Sequence, residues 1–171
     1  FFNATGGVNA PAAWDLSQGE GIVVAVLDTG ILPGVPDFGS NLLEGYDFIS
    51  DKESSRRPND GRAPGATDYG DWVETANECY TGSEPEGSSW HGTHVAGTIG
   101  ASTNNNVGVA GIAGWERQGL DVKIISGRVF GSSGGTTSAE IITAVRWLIT
   151  QNVDVANFSL GGYGSSTTEE S

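Results

Sequence analysis

Gly21-Ile22-Val23-Val24-Ala25-Val26-Leu27-Asp28-Thr29-Gly30 is the stretch whose reading decides the fold. The apolar, β-branched run from Ile22 to Leu27 predicts a strand buried on both faces, as in a parallel sheet covered by helices. It ends abruptly on a carboxylate. Open α/β sheets place their ligands and their chemistry at the carboxyl ends of such strands. Taken alone, Asp28 has three readings. It can be a turn former bonding nearby amides, an orienting acid, or half of an aspartic-peptidase pair, which needs a second carboxylate facing it. No second Asp-Thr-Gly or Asp-Ser-Gly is present, so the last reading requires a homodimer.

Working outward, Asn9 to Leu16 predicts a short helix, with Asn9 as its cap and Pro11 in the first turn. Glycines 19 and 21 stop it. Downstream, Asp121 to Phe130 contains a second strand pattern, and Val153 to Leu160 a third. Between them Thr137-Ser138-Ala139-Glu140 has capping-box spacing and opens a helix with a broad apolar face of Ile141, Ile142, Val145, Trp147, Leu148 and Ile149. The expected architecture is α/β: three layers, with a mainly parallel central sheet flanked by helices. A length of 171 residues suits a single domain with one core.

Charge and composition exclude several function classes. The net charge of −13 argues against duplex nucleic acid and anionic membrane surfaces, which are bound by clustered Lys and Arg. No apolar run approaches the roughly 18 residues of a membrane span. The N-terminus lacks the pattern of a signal peptide, and the chain has no methionine, which together predict a processed form with its targeting segment removed. Cys79 is the single cysteine; it is either a free thiol or the partner of a cysteine outside this sequence.

Of the 21 Asp and Glu, 11 lie between Glu44 and Glu86. Residues 51–87 form a long polar stretch without apolar periodicity, and a segment of that kind inside a compact domain is functional or disordered. Its Asp60, Arg62, Asp68 and Asp71 surround Gly turns. Such a loop can serve solubility alone, or its carboxylates and carbonyls can supply the oxygens that calcium requires, although the spacing is not that of an EF-hand.

Ser89-Trp90-His91-Gly92-Thr93-His94-Val95-Ala96-Gly97-Thr98-Ile99 sets a histidine at the start of a helix of small residues. Their size predicts close packing, since Gly and Thr are poor helix formers. His91 and His94 are one residue too close for a His-Glu-x-x-His zinc site, residue 92 is Gly, and no third ligand is evident. His94 is therefore expected to be a packed, hydrogen-bonded helix residue. An imidazole, by contrast, suits activation of a serine hydroxyl, because its pKa lies near neutrality and a buried carboxylate can fix its tautomer.

Asp28-Thr29-Gly30, the Ser-x-His-Gly-Thr-His-Val-Ala-Gly-Thr motif and Asn157-Phe158-Ser159-Leu160-Gly161-Gly162, in that order, resemble the subtilisin-like serine peptidases. The resemblance extends from the Trp14 helix to Gly162 and implies a secreted endopeptidase with an Asp, His, Ser triad. Asp28 would be the orienting acid and His91 the general base. Ser159, Leu160 and Gly161 would form one substrate-binding edge, and Gly131, Ser133 and Gly134 the other. Phe158 stands where methionine is commoner. A calcium ion is implied at Asp37, with Thr103, Asn105, Val107 and Val109 as matching positions; the Asn loop is one residue longer here than usual. An acidic insertion ending in Gly-Asp-Trp, also found in some secreted bacterial members, implies further calcium in 51–87.

The family's nucleophile motif, Gly-Thr-Ser before an apolar helix, does not occur in these 171 residues, nor does its oxyanion asparagine segment. The expectation is the N-terminal portion of one catalytic domain, completed by a C-terminal fragment carrying Ser and Asn and acting on peptide substrates. The alternative is a catalytically incomplete, calcium-binding structural or binding fragment.

Overall fold

The computed structural model describes residues 6–113 and 122–161. Asp121, Gly162 and the polar tail from Tyr163 onward lie outside these residues.

The apolar run forms strand β1 (Val23–Asp28), from whose second residue onward every position is buried. It pairs in parallel with β4 (Lys123–Arg128) on one side and with β5 (Val155–Asn157) on the other. Beyond β4 lies β2 (Leu42–Asp47), also parallel, and then β3 (Ala63–Pro64), which is antiparallel. The sheet order is β3-β2-β4-β1-β5.

Burial on both faces of β1 comes from two helices. Helix α4 (Ser138–Thr150) covers one face, where Ala144 and Leu148 pack with Ala25, Leu27, Phe48, Ile125 and Val129. Tyr46, Phe48 and Trp147 form an aromatic cluster there, with ring centroids 5.0 to 5.8 Å apart. Helix α3 (His91–Gly100) lies on the opposite face, where Ala96 packs with Val26, Ile31, Phe38 and Ile124. The period-2 alternation of Ala25 and Leu27 against Val26 divides β1 between the two clusters. The three-layer, mainly parallel arrangement agrees with expectation.

The capping box forms: the Thr137 side chain accepts from the Glu140 N–H, and Glu140 accepts from the Thr137 N–H at 2.8 Å. Three local expectations need correction. Helix α1 spans only Ala10–Trp14, and Asn9 is left-handed with no side-chain cap bond. Its anchor is instead tertiary, a 2.7 Å bond from the Trp14 indole to the Ile112 carbonyl. The third strand is short, because pairing with β1 covers only Val155–Asn157 of the 153–160 pattern.

The third correction concerns 51–87, which is ordered rather than structureless. It contains helix α2 (Lys52–Ser55) and β3, and arginines attach it to the sheet. Arg57 bonds Asp47 at 3.0 Å and donates to the Ile49 carbonyl. Arg62 donates to the Phe48 carbonyl, and Arg56 lies 3.4 Å above the Trp72 ring while donating to the Trp72 carbonyl. Periodicity could not show this, because the segment is held by charge-assisted bonds to carbonyls and carboxylates rather than by an apolar face. Among the described residues no helix is long and apolar enough to cross a membrane.

Candidate active site

Asp28 ends β1 with 1% of its side chain exposed. Its carboxylate accepts from the Thr29 N–H at 2.7 Å and stands 2.9 Å, through each oxygen, from His91 Nδ1. An ionised carboxylate only accepts, so Nδ1 carries the proton and Nε2 is the nitrogen free to accept another. The His91 side chain remains 48% exposed.

Glycine makes this approach possible. A Cβ on Gly92 would lie 2.4 Å from the Gly30 carbonyl oxygen and 3.1 Å from Asp28, so only glycine lets α3 come this close. Gly30, at φ 101°, allows the chain to turn sharply after Asp28.

Helix α3 starts without a conventional cap. Trp90 at the N-cap position is left-handed and makes no side-chain cap bond. The first helical N–H groups still need acceptors, and hydroxyls outside the helix provide two. Ser89 Oγ accepts from the His91 N–H at 3.2 Å, and Thr29 Oγ1 accepts from the Gly92 N–H at 3.0 Å. Each hydroxyl in turn donates to an acidic-segment residue, Ser89 to Asp71 and Thr29 to Asp68, both at 2.7 Å. Asp68 is buried and also accepts from the Gly70 N–H; burial raises its carboxyl above the usual value of 3.8, partly offset by these bonds.

The structure separates the expected metal positions into two groups. Asp37, in the turn Pro36–Phe38, is buried, and the loop after α3 closes over it. Asn105 Nδ2 donates to it at 2.9 Å and the Val109 N–H at 2.7 Å, while Gly108 passes too near its carboxylate for any side chain. Thr103 is buried nearby in sequence, and the Val107 N–H bonds the Asn105 amide oxygen. Both Asp37 oxygens thus accept N–H groups and the Asn105 amide oxygen accepts one as well, so these bonds hold the loop against the turn. Asp60, Arg62, Asp68 and Asp71 are arranged differently. Asp60 accepts from the Lys52 N–H, Arg62 reaches Phe48, and Asp68 and Asp71 hold hydroxyls. Among the described residues no three His, Cys, Asp or Glu side chains gather around a metal-sized space.

The expected substrate edges lie on the His91 side of the molecule in one case and at the Asp28 end of the sheet in the other. Ser133 and Gly134, in the turn Ser132–Gly134, share a cavity of about 560 Å³ with Asp71, Tyr80, Glu86 and Ser89. Gly131 is buried, and a Cβ there would meet the Ser54 carbonyl at 2.3 Å, so its glycine serves packing against α2. Ser159, Leu160 and Gly161 leave the sheet after β5, at the same end as Asp28; Ser159 accepts from Asn157 Nδ2 at 2.9 Å.

Two other expectations are settled by position. His94 is exposed rather than packed, because it lies on the outer side of α3. His91 faces both Asp28 oxygens, so the facing carboxylate that an aspartic-peptidase pair requires is replaced by an imidazole.

Sequence reasoning missed Thr29 and Ser89 as the links between the pair and the acidic segment. The available signal was a hydroxyl residue close to each member, at Thr29 directly after Asp28 and at Ser89 two residues before His91.

Comparisons with known proteins agree with this geometry. The subtilase family model matches residues 19–170. An extracellular protease of Xanthomonas campestris pv. campestris is 45% identical over 98% of the chain, which covers 29% of that protein. An extracellular basic protease of Dichelobacter nodosus is 42% identical over 92% of the chain, 27% of its own length. A solved protease structure from Pseudoalteromonas arctica superposes with a TM-score of 0.85 at 43% identity, over 96% of this chain and 48% of that one. The chain thus spans under a third of these curated relatives and about half of the solved one. With the Asp28–His91 pair set at the carboxyl end of a matching parallel sheet, the chain belongs to the subtilase family.

Proposed function

We propose that this segment supplies the acid and the base of a secreted serine endopeptidase, with the nucleophilic serine and the oxyanion asparagine contributed by polypeptide outside these 171 residues. The observation that carries the reading is the contact of His91 Nδ1 with both oxygens of a fully buried Asp28, while 48% of the His91 side chain remains exposed. Asp28 holds the Nδ1–H tautomer and stabilises the imidazolium as it forms. His91 Nε2 takes the proton of the serine hydroxyl during attack on the peptide carbonyl, then gives it to the departing amine. Water repeats the sequence and releases the acyl group.

The extended substrate lies between the edges at Ser159–Leu160–Gly161 and Ser133–Gly134, held by main-chain hydrogen bonds. Gly131 supports the second edge from beneath. Calcium would be held by Asp37 and Asn105 with carbonyl oxygens of the loop containing Thr103, Val107 and Val109, where its charge would fasten the loop to the body of the domain. The extracellular relatives support secretion of this protein.

The test is fluorophosphonate labelling of the full-length protein. Label on a serine outside this segment, abolished by His91→Ala, is expected. Failure of folded, full-length protein to take up label would leave the binding-fragment reading in its place.

A further inference from the structure

Asp68 and Asp71 fall in a segment whose sequence pointed to calcium, yet each carboxylate is occupied by one hydroxyl and backbone N–H groups. The two arrangements match. Thr29 Oγ1 gives its proton to Asp68 and receives the Gly92 N–H; Ser89 Oγ gives its proton to Asp71 and receives the His91 N–H. The N–H groups they receive are consecutive donors in the first turn of α3, where the N-cap residue Trp90 offers no side-chain acceptor. Each hydroxyl is thereby fixed in rotation, since its proton and its acceptor lone pair both have partners. Thr29 additionally follows Asp28 directly and donates its N–H to the same carboxylate that meets His91.

We propose that Asp68 and Asp71 are positioning residues that set the Asp28–His91 geometry, acting through Thr29 and Ser89 as a two-point cap on the helix that carries His91. This rests on the triad reading above. The acidic segment then does more than add charge: its base holds the start of α3 against the end of β1. Negative charge at a helix N-terminus is also favourable in its own right.

The test compares variants of the full-length enzyme by steady-state kinetics on a peptide substrate, thermal midpoint, and the downfield proton resonance of His91 Nδ1–H. Asp68→Ala and Thr29→Val should each lower kcat on the order of 10²-fold, since misplacing a catalytic group by about 1 Å has that effect. KM should stay within about twofold, as expected when only transition-state interactions are lost. Asp71→Ala and Ser89→Ala, on the exposed side, should lower kcat about tenfold, the equivalent of roughly 1.4 kcal/mol. Thr29→Ser keeps the hydroxyl and should retain activity. In the impaired variants the His91 resonance should shift or broaden. Should Asp68→Ala not fold, the exposed Ser89→Ala carries the test. Folded variants with unchanged kcat and an unmoved resonance would overturn the proposal. If Asp28→Asn and His91→Ala also left activity intact, the triad reading itself would fall; if they abolished it, only the positioning role would.

Discussion

Two carboxylates end neighbouring parts of one sheet, and they are equipped for different tasks. Asp28 closes β1 and Asp47 closes β2, and both are level with Arg128 at the end of the intervening β4. Each is 1% exposed. Asp47 accepts from Arg128 Nη1 at 2.9 Å and from Arg57 Nε at 3.0 Å. Arg128 also donates to the Ser55 and Thr29 carbonyls, and its guanidinium sits 5.4 Å from the Tyr69 ring. The partner that faces Asp28 is instead an imidazole. A carboxylate fastened between two permanent cations holds structure together, because neither partner can release its charge. One facing a histidine has a partner whose ring nitrogens can both donate and accept. Burial alone does not distinguish the two. Partner chemistry does.

The comparison can be broken from either side. The largest expected effect is on activity: on the proposed function, Asp28→Asn should lower kcat on the order of 10⁴-fold, as loss of the orienting acid does in serine-peptidase triads, with little change in thermal midpoint. Steady-state kinetics and a melting curve on the same protein check both halves. Arg128→Ala should instead act on stability. It strands the Asp47 carboxylate beside a single cation, and breaking a buried pair costs about 3–5 kcal/mol, readable as a lower urea midpoint.

Gly92→Ala sharpens the contrast, since its methyl would meet the Gly30 carbonyl and Asp28 at once. Moving α3 outward should lower kcat on the order of 10²-fold while leaving the Asp47–Arg128 contact undisturbed. Arg56→Ala removes the guanidinium over Trp72 and should cost about 1 kcal/mol by denaturant titration, without affecting the Asp28–His91 pair.

The smallest effect is one of pH. Asp51 lies below its ordinary value of 3.8 because the Ser54 N–H bonds it, and Glu78 below 4.5 because the Thr75 and Glu74 N–H groups do. A carboxyl lowered on folding adds stability above its unfolded value, and that contribution disappears as pH falls through the folded value. Both groups are fully exposed, so the contribution is small. Asp51→Asn should lower stability slightly above about pH 4, where the wild-type carboxylate contributes, and the difference should close as pH falls below that value, as followed by melting curves across the range.

Several parts of this design are written locally and are legible in the order of the amino acids. The run from Ile22 to Leu27 is too apolar to leave either face in water, which makes β1 central and the fold three-layered. The Thr137–Glu140 box closes within four residues. Asp28 and His91 sit at the end of the strand and the start of the helix that their flanking residues predict. Local pattern failed where the deciding contact was remote. Asn9 has the chemistry of a cap but takes a left-handed turn, while Trp90, a poor capping residue, precedes the helix that matters most.

The sequence by itself determined most of the elements and the places of Asp28 and His91 at a strand end and a helix start, because strand burial, capping and turn chemistry depend on residues a few positions apart. Only the tertiary structure decided what each carboxylate does. Asp47 meets Arg128 across 81 positions, Thr29 meets Asp68 across 39, and Asp28 meets His91 across 63. An acidic side chain reads the same in sequence whether it faces a guanidinium, a hydroxyl, a cation or an imidazole. Its role is set by the partner that folding brings within about 3 Å, and periodicity carries no record of that partner.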